Sequence, residues 1–283
     1  MSPAHRCFSP GVLRSVLACA ALLTSLGSLA QETGTKPLWE LGLGAGVLRL
    51  PHYRGSDQQH TWLLPVPYVV YRGQIFKADK DGARAVLFDG DKLEIDMSAA
   101  ASAPTRSQDD HARQGMANLS PTIELGPNVN WTVQRGPGWS LELRLPVRAA
   151  TTLDRHPHLL GWAATPNLNL DMRTASGWNI GLLGGPVYSS RGLNGYFYDV
   201  PTAGATATRP AYQAPGGYGG LRATAGLSRR DGNRWLGAFV KYDQLNGASF
   251  ADSPLVRQRQ QWAAGVAMSW VLFQSSAGVS TAP

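Results

Sequence analysis

From Pro121 to Arg148 the side chains alternate with a period of two, and this constrains the fold more than any other feature. Ile123, Leu125, Val129, Trp131 and Val133 interleave with Thr122, Glu124, Asn128, Asn130, Thr132 and Gln134. After Arg135–Gly138 the pattern resumes, with Trp139, Leu141, Leu143, Leu145 and Val147 set against Ser140, Glu142, Arg144 and Arg148. Successive strand residues point to opposite faces, so this is a β-hairpin with one apolar and one charged face. A chain built this way needs two different environments, one for each face.

The same alternation recurs at Trp39–Val47, Leu93–Ala100, Asn167–Arg173, Leu221–Ser228 and Trp262–Leu272, and no segment holds a helical period. The chain therefore reads as all-β. Its connections differ in length. Short turns fall at Arg72-Gly73, Asp89–Asp91, Arg135–Gly138, Thr174–Gly177 and Arg230–Asn233, with one more reversal at Lys80–Gly82. Long polar connections fall at Pro51–Thr61, Pro104–Leu119, Ala150–Leu160, Ser189–Gly216 and Gln244–Gln260. The spans between them predict about twelve strands, or ten if the short third and fourth do not cross. An even count puts all five long loops at one end. That is the layout of a transmembrane antiparallel up-and-down β-barrel, with short periplasmic turns and long outer loops.

Tryptophan placement tests this count. Trp39, Trp131, Trp139, Trp178, Trp235 and Trp270 fall near the periplasmic strand ends, and Trp62, Trp162 and Trp262 at the outer ends. Indole rings favour the membrane interface, so all nine are expected to be interface aromatics. Trp235 has one conflict: if Leu236, Ala238, Val240 and Tyr242 face outward, it faces in. A soluble sandwich or lipocalin-like barrel, with its apolar face inside, also alternates.

Residues 1–30 read as a cleaved signal peptide. Arg6 and Arg14 precede the apolar Val16–Leu26, and Ser28-Leu29-Ala30 fits a small-x-small cleavage site. Val16–Cys19 resembles a lipoprotein box, but it lies too close to Arg14 and the apolar run continues past it. Residues 31–37 are then a periplasmic N-terminal segment, 38–273 the barrel, and 274–283 a small disordered tail. Cys7 and Cys19 both lie in the leader, so the mature part holds no cysteine and needs another means of closure. Without the leader, 24 basic residues face 19 acidic ones, a net charge of +5. The cations are scattered, which excludes a nucleic-acid-binding class, while outer-membrane lipid and lipopolysaccharide remain expected partners.

The polar face is expected to line the lumen with Glu94, Asp96, Glu124, Asn128, Asn130, Glu142, Arg144, Arg148, Asn167, Asn169, Asp171, Arg173, Asn179 and Arg222. Opposed Glu and Arg can pair across such a lumen and plug it, in preference to an open pore. Asp109-Asp110-His111 offers carboxylates beside histidine, although a solvated loop explains it better. His156-Pro157-His158, with His52, His60 or His111, offers imidazoles to a metal, although two ligands make a weak site. There is no CxxC, HExxH or P-loop, and Gly42-x-Gly44-x-Gly46 lies in a strand with no helix after it. No catalytic residue, metal site or cofactor is assigned.

Several short motifs occur in a family-specific order. They are His52-Tyr53-Arg54-Gly55-Ser56-Asp57, Leu64-Pro65-Val66-Pro67-Tyr68, Tyr71-Arg72-Gly73, Gly82-Ala83-Arg84, Ala101–Pro104, Pro121–Pro127, Arg209-Pro210-Ala211-Tyr212 and Tyr242-Asp243. The chain resembles the MipA/OmpV family of outer-membrane proteins over nearly all of its mature length. The resemblance implies a scaffold that links a membrane-bound lytic transglycosylase to a penicillin-binding protein. Other members imply adhesion-related or osmotically responsive, porin-like roles. It implies no catalytic residues.

Overall fold

The computed structural model describes residues 35–73, 76–79 and 82–280, so the leader over 1–30 lies outside the described residues. Its strands are β1 (Thr35–Pro37), β2 (Trp39–Pro51), β3 (Gln59–Arg72), β4 (Phe76–Asp79), β5 (Gly82–Asp89), β6 (Leu93–Ser102), β7 (Thr122–Gly136) and β8 (Trp139–Thr152). They continue with β9 (Leu159–Ala164), β10 (Asn167–Arg173), β11 (Trp178–Ser189), β12 (Gly217–Asp231), β13 (Arg234–Gln244), β14 (Gln260–Gln274) and β15 (Gly278–Ser280). One helix, α1 (Arg191–Tyr198), lies between β11 and β12.

All pairings are antiparallel, and β2 to β14 form one continuous sheet. β9 and β10 are two halves of a single span, interrupted at Thr165-Pro166. β9 pairs with the outer half of β8 from Val147 upward, and β10 with its lower half from Arg144 downward. The sheet therefore has twelve spans. It closes on itself, because β14 pairs with β2 from Ala264↔Arg49 to Gln274↔Glu40. Closure leaves no free sheet edge at this seam, as lipid requires. Glycine allows the close approach: a Cβ at Gly44 would overlap the Met268 carbonyl. Gly138 (φ 76°) and Gly177 (φ 81°) supply the left-handed backbone at two of the short turns.

The large apolar side chains point away from the sheet interior. Leu43, Leu63, Leu145, Leu168, Val266 and Leu272 are all exposed, with Leu63 at 77%. Patches of this extent have no place on a water-soluble surface, and they form the belt that meets acyl chains. On the other face Glu40, Asp96, Asn128, Ser140, Asn169, Asp171, Asn179 and Asp243 are buried.

Three expectations change. Trp62 and Trp235 are not interface aromatics. Trp62 shares its face with Leu64 and packs on buried Leu48 and Leu50 inside the barrel. Trp235 packs inside on Val66 and Ala267 and lies 6.2 Å from the Tyr68 ring. Strand parity overrides position along the strand: Leu63 and Leu236 take the outward places, so their neighbours must turn in. The third change is the tail. Gly278–Ser280 is ordered as β15 and pairs with β1 through Lys36↔Val279, a two-stranded ribbon where both ends of the described chain meet.

One wall is thinner than the rest. Among the described residues, β3 pairs with β4 only at Tyr71 and Arg72, and its upper part faces no partner on that side. Pro65 and Pro67 lie in this stretch while β3 stays paired with β2 throughout. Proline has no N–H to give, so both must sit where the donor would point away from β2.

Candidate functional site

At the outer end, loops from four connections fold together over the barrel mouth. Tyr53, Leu119, Tyr198, Val200, Ala214, Leu245, Ala248, Phe250 and Leu255 form a buried apolar cluster there. None of these loops is periodic; the first two contribute one residue each to the cluster, the third contributes three and the fourth contributes four. Tyr198 stacks on Phe250 with centroids 3.8 Å apart. Its hydroxyl donates to the Arg54 carbonyl at 2.8 Å, and the Tyr53 hydroxyl donates to the Leu255 carbonyl at 2.8 Å. Burial pushes both phenols well above their ordinary range, helped at Tyr53 by the nearby Asp110 carboxylate.

Arginines tie the cap's backbone together. Arg113 lies over the Tyr53 ring and donates to the Phe197 carbonyl at 2.9 Å. Arg209 donates to the carbonyls of Ala112 and Gln114 at 2.8 and 2.9 Å. Ser190 caps α1 by accepting from Leu193 N–H at 3.3 Å and also accepts from Trp162 N–H at 3.0 Å.

Arg54 bolts this cap to the wall. Its Nε donates to Asp243 Oδ1 at 2.9 Å and its Nη2 to the Gly219 carbonyl at 2.8 Å. Arg222 Nε donates to the same Asp243 oxygen at 3.0 Å. Gly55 N–H donates to Gln261 Oε1 at 2.9 Å, a second tie between loop and wall.

Below the cap, the residues expected to line the lumen face inward in separate groups. Arg148 pairs with Glu124 at 3.2 Å and reaches Thr165 at 3.0 Å. Arg144 binds Glu142 at 2.9 Å and lies 3.6 Å from Asp171, which accepts from Asn169 at 2.6 Å. Asn130 donates to Asp96 at 2.8 Å and approaches Glu94, while Asn128 donates to Asn130. Asn167, Arg173 and Asn179 line β10 and β11 beside them. These contacts lie within one strand or join neighbouring strands, not opposite walls, because a side chain reaches its nearest neighbours long before it spans a twelve-strand barrel. At the periplasmic end, Arg230 and Arg72 both bind Glu40, and Arg230 reaches from β12 to a residue on β2.

The residues considered for chemistry are dispersed. Asp110 is fully buried, whereas Asp109 and His111 are exposed. Asp110 accepts from Ser56 Oγ at 2.6 Å and Ala112 N–H at 3.1 Å, and contacts His52 Nδ1 at 3.0 Å. Serine and histidine meet the same carboxylate oxygen, so the hydroxyl has no imidazole base. The trio latches the first outer loop to the second. His158 contacts Thr152, His156 is exposed and His60 lies against Trp62. Among the described residues no three His, Cys, Asp or Glu side chains converge as metal ligands.

Sequence reading missed Arg54, Lys241, Asp243 and Gln261 as inner-face residues. The signal was present in β13, where Trp235, Phe239, Lys241 and Asp243 share one parity.

No curated protein matches the sequence. Among solved structures the fold is similar to the CymD monoaromatic hydrocarbon channel, at 12% identity over 94% of each chain with a TM-score of 0.38. It is also similar to outer membrane phospholipase A from Escherichia coli, at 12% identity over 88% of this chain and 98% of that one, TM-score 0.34. The family described as "MltA-interacting protein MipA" matches residues 43–272, which run from the fifth residue of β2 almost to the end of β14. The barrel and its cap thus fall within one family pattern, and the chain belongs to the MipA family of outer-membrane β-barrels.

Proposed function

We propose that this chain is a non-enzymatic scaffold of the outer membrane, holding a peptidoglycan lytic transglycosylase beside a penicillin-binding synthase. The observation that carries this reading is the contrast between the two barrel ends. The outer mouth is covered by a packed apolar cap bolted to the wall. The periplasmic end presents short turns and the β1–β15 ribbon. A ribbon of two short strands offers backbone donors and acceptors at its edges, a recognised means of engaging a partner strand. Family membership supports the same reading, since the family takes its description from an interacting protein.

Crosslinked capture from detergent extracts tests this. The wild type is expected to retain a lytic transglycosylase or a penicillin-binding protein. Val279→Pro, which removes a ribbon donor opposite Lys36, is expected to retain several-fold less. An empty wild-type capture rejects the scaffold. Export follows from the leader, and a mature N-terminus at Gln31 in intact mass analysis is expected. Exposed Arg49 at the outer rim, held by Gln59 at 2.6 Å, supports contact with lipopolysaccharide phosphates. A porin-like reading is favoured by the charged inner wall and predicts steady conductance in planar bilayers.

A further inference from the structure

The inner wall directly beneath the cap carries more positive charge than it neutralises. Arg54 and Arg222 take both oxygens of one carboxylate, Asp243, and Lys241 lies two residues before it on the same face of β13. Register fixes this arrangement: Arg222 lies opposite Asp243, and Thr224 opposite Lys241, on the inner faces of β12 and β13. The next carboxylate, Glu124, is engaged by Arg148. Lys241 thus contributes a cation that this wall does not balance.

A second, independent observation lies on the adjoining strand. Gln261 is opposite Asp243 on β14 and is only 3% exposed. Its Oε1 accepts from Gly55 N–H, which can only donate, so the amide orientation is fixed. Its Nε2 is then left buried with no hydrogen-bond partner. An unmet buried donor beside surplus cations costs free energy unless an acceptor arrives.

We propose that Lys241, Gln261 and the free guanidinium edges of Arg222 and Arg54 form a binding site for a small oxyanion in the outer part of the lumen. The ligand class is a carboxylate or phosphate group, with negative charge and several acceptor oxygens. Such a group meets the Gln261 donor and neutralises Lys241 at once. It leaves the Arg54–Asp243 bolt intact, so binding tightens the cap's attachment.

The test is a titration of the detergent-purified, full-length barrel with inorganic phosphate at constant ionic strength, followed by calorimetry and by thermal unfolding. The wild type is expected to bind saturably and to melt at higher temperature with phosphate. Lys241→Met and Gln261→Glu are each expected to weaken binding about tenfold or more, the scale of one lost charge-assisted hydrogen bond. Gln261→Glu keeps the acceptor for Gly55 N–H, so its cap stays tied. Lys241→Arg keeps the charge and is expected to bind. If the wild type shows no saturable response, or the two weakening variants bind as the wild type does, the site does not exist. Where Lys241→Met fails to fold, Gln261→Glu decides alone.

Discussion

Four residues, Asp243, Asp110, Tyr53 and Tyr198, decide how firmly the outer mouth is closed. Asp243 is 3% exposed and receives both Arg54 and Arg222, so Asp243→Asn leaves two guanidinium groups without their counter-charge. The expected loss is about 3 kcal/mol, the scale for breaking one partner out of a buried pair. It is read as a lower unfolding temperature in samples heated stepwise before electrophoresis, and as faster amide exchange at Tyr53–Ser56. Asp110→Ala removes the acceptor for Ser56 and Ala112, and is expected to cost about 2 kcal/mol. Limited trypsin digestion should then cut at Arg106 or Arg113 faster than it does in the wild type. Tyr53 and Tyr198 give the cap a pH dependence. Both folded phenols are raised above the ordinary value of about 10, so their contribution is complete below about pH 10 and is lost as pH rises beyond it. Near-ultraviolet dichroism of the cap should stay level to pH 10 and decline above it. At this scale the sequence was read well for polarity and poorly for direction. Trp62 and Trp235 stand at strand ends, as interface aromatics do, yet the parity set by Leu63 and Leu236 turns them inward.

The strands were legible because each repeats its pattern over many residues, and the loops were not because none of them does. Alternation in Leu93–Ala100 and Trp262–Leu272 places β6 and β14, and the twelve spans follow from the spacing of turns. The cap core brings together Tyr53, Leu119, Tyr198 and Phe250 from four different connections, and nothing local marks them as partners. Arg54 and Asp243 lie in two of the family-specific motifs, but nothing in either motif pairs them; the structure joins them at 2.9 Å. The β3 edge carries its own signal. Pro65 and Pro67 lie where β3 has no partner beyond β2 among the described residues. Replacing both by valine places two backbone donors toward a side with no acceptor strand. In lipid an unmet donor is expensive, so Pro65→Val with Pro67→Val is expected to destabilise the barrel by about 2 kcal/mol or more. The measurement is the urea midpoint of the vesicle-inserted protein. A higher midpoint would mean that β4 or another segment accepts those donors.

For the molecule as a whole, the question is what blocks the lumen: the side chains of its wall or the cap above it. Arg148–Glu124 joins adjacent strands and Arg144–Glu142 lies within β8, so both ion pairs run along the wall instead of across the barrel. Cross-barrel contact is made by Arg230 with Glu40 near the periplasmic end, from one strand to another three places away. Closure at the outer end therefore belongs mainly to the cap, whose apolar core draws Tyr198, Val200 and Ala214 from the β11–β12 connection alone. Intact protein is expected to be silent in planar bilayers. Replacing Ser190–Gly216 with a short turn removes α1 and a third of that core while leaving β11 and β12 paired from Trp178↔Arg229 upward. This variant should show steady openings, and phosphate should reduce them if Lys241 and Gln261 hold an anion near the exposed mouth. Wild-type conductance equal to that of the variant would shift weight from scaffold to channel, because a cap that does not close the barrel cannot confine its work to the periplasmic side.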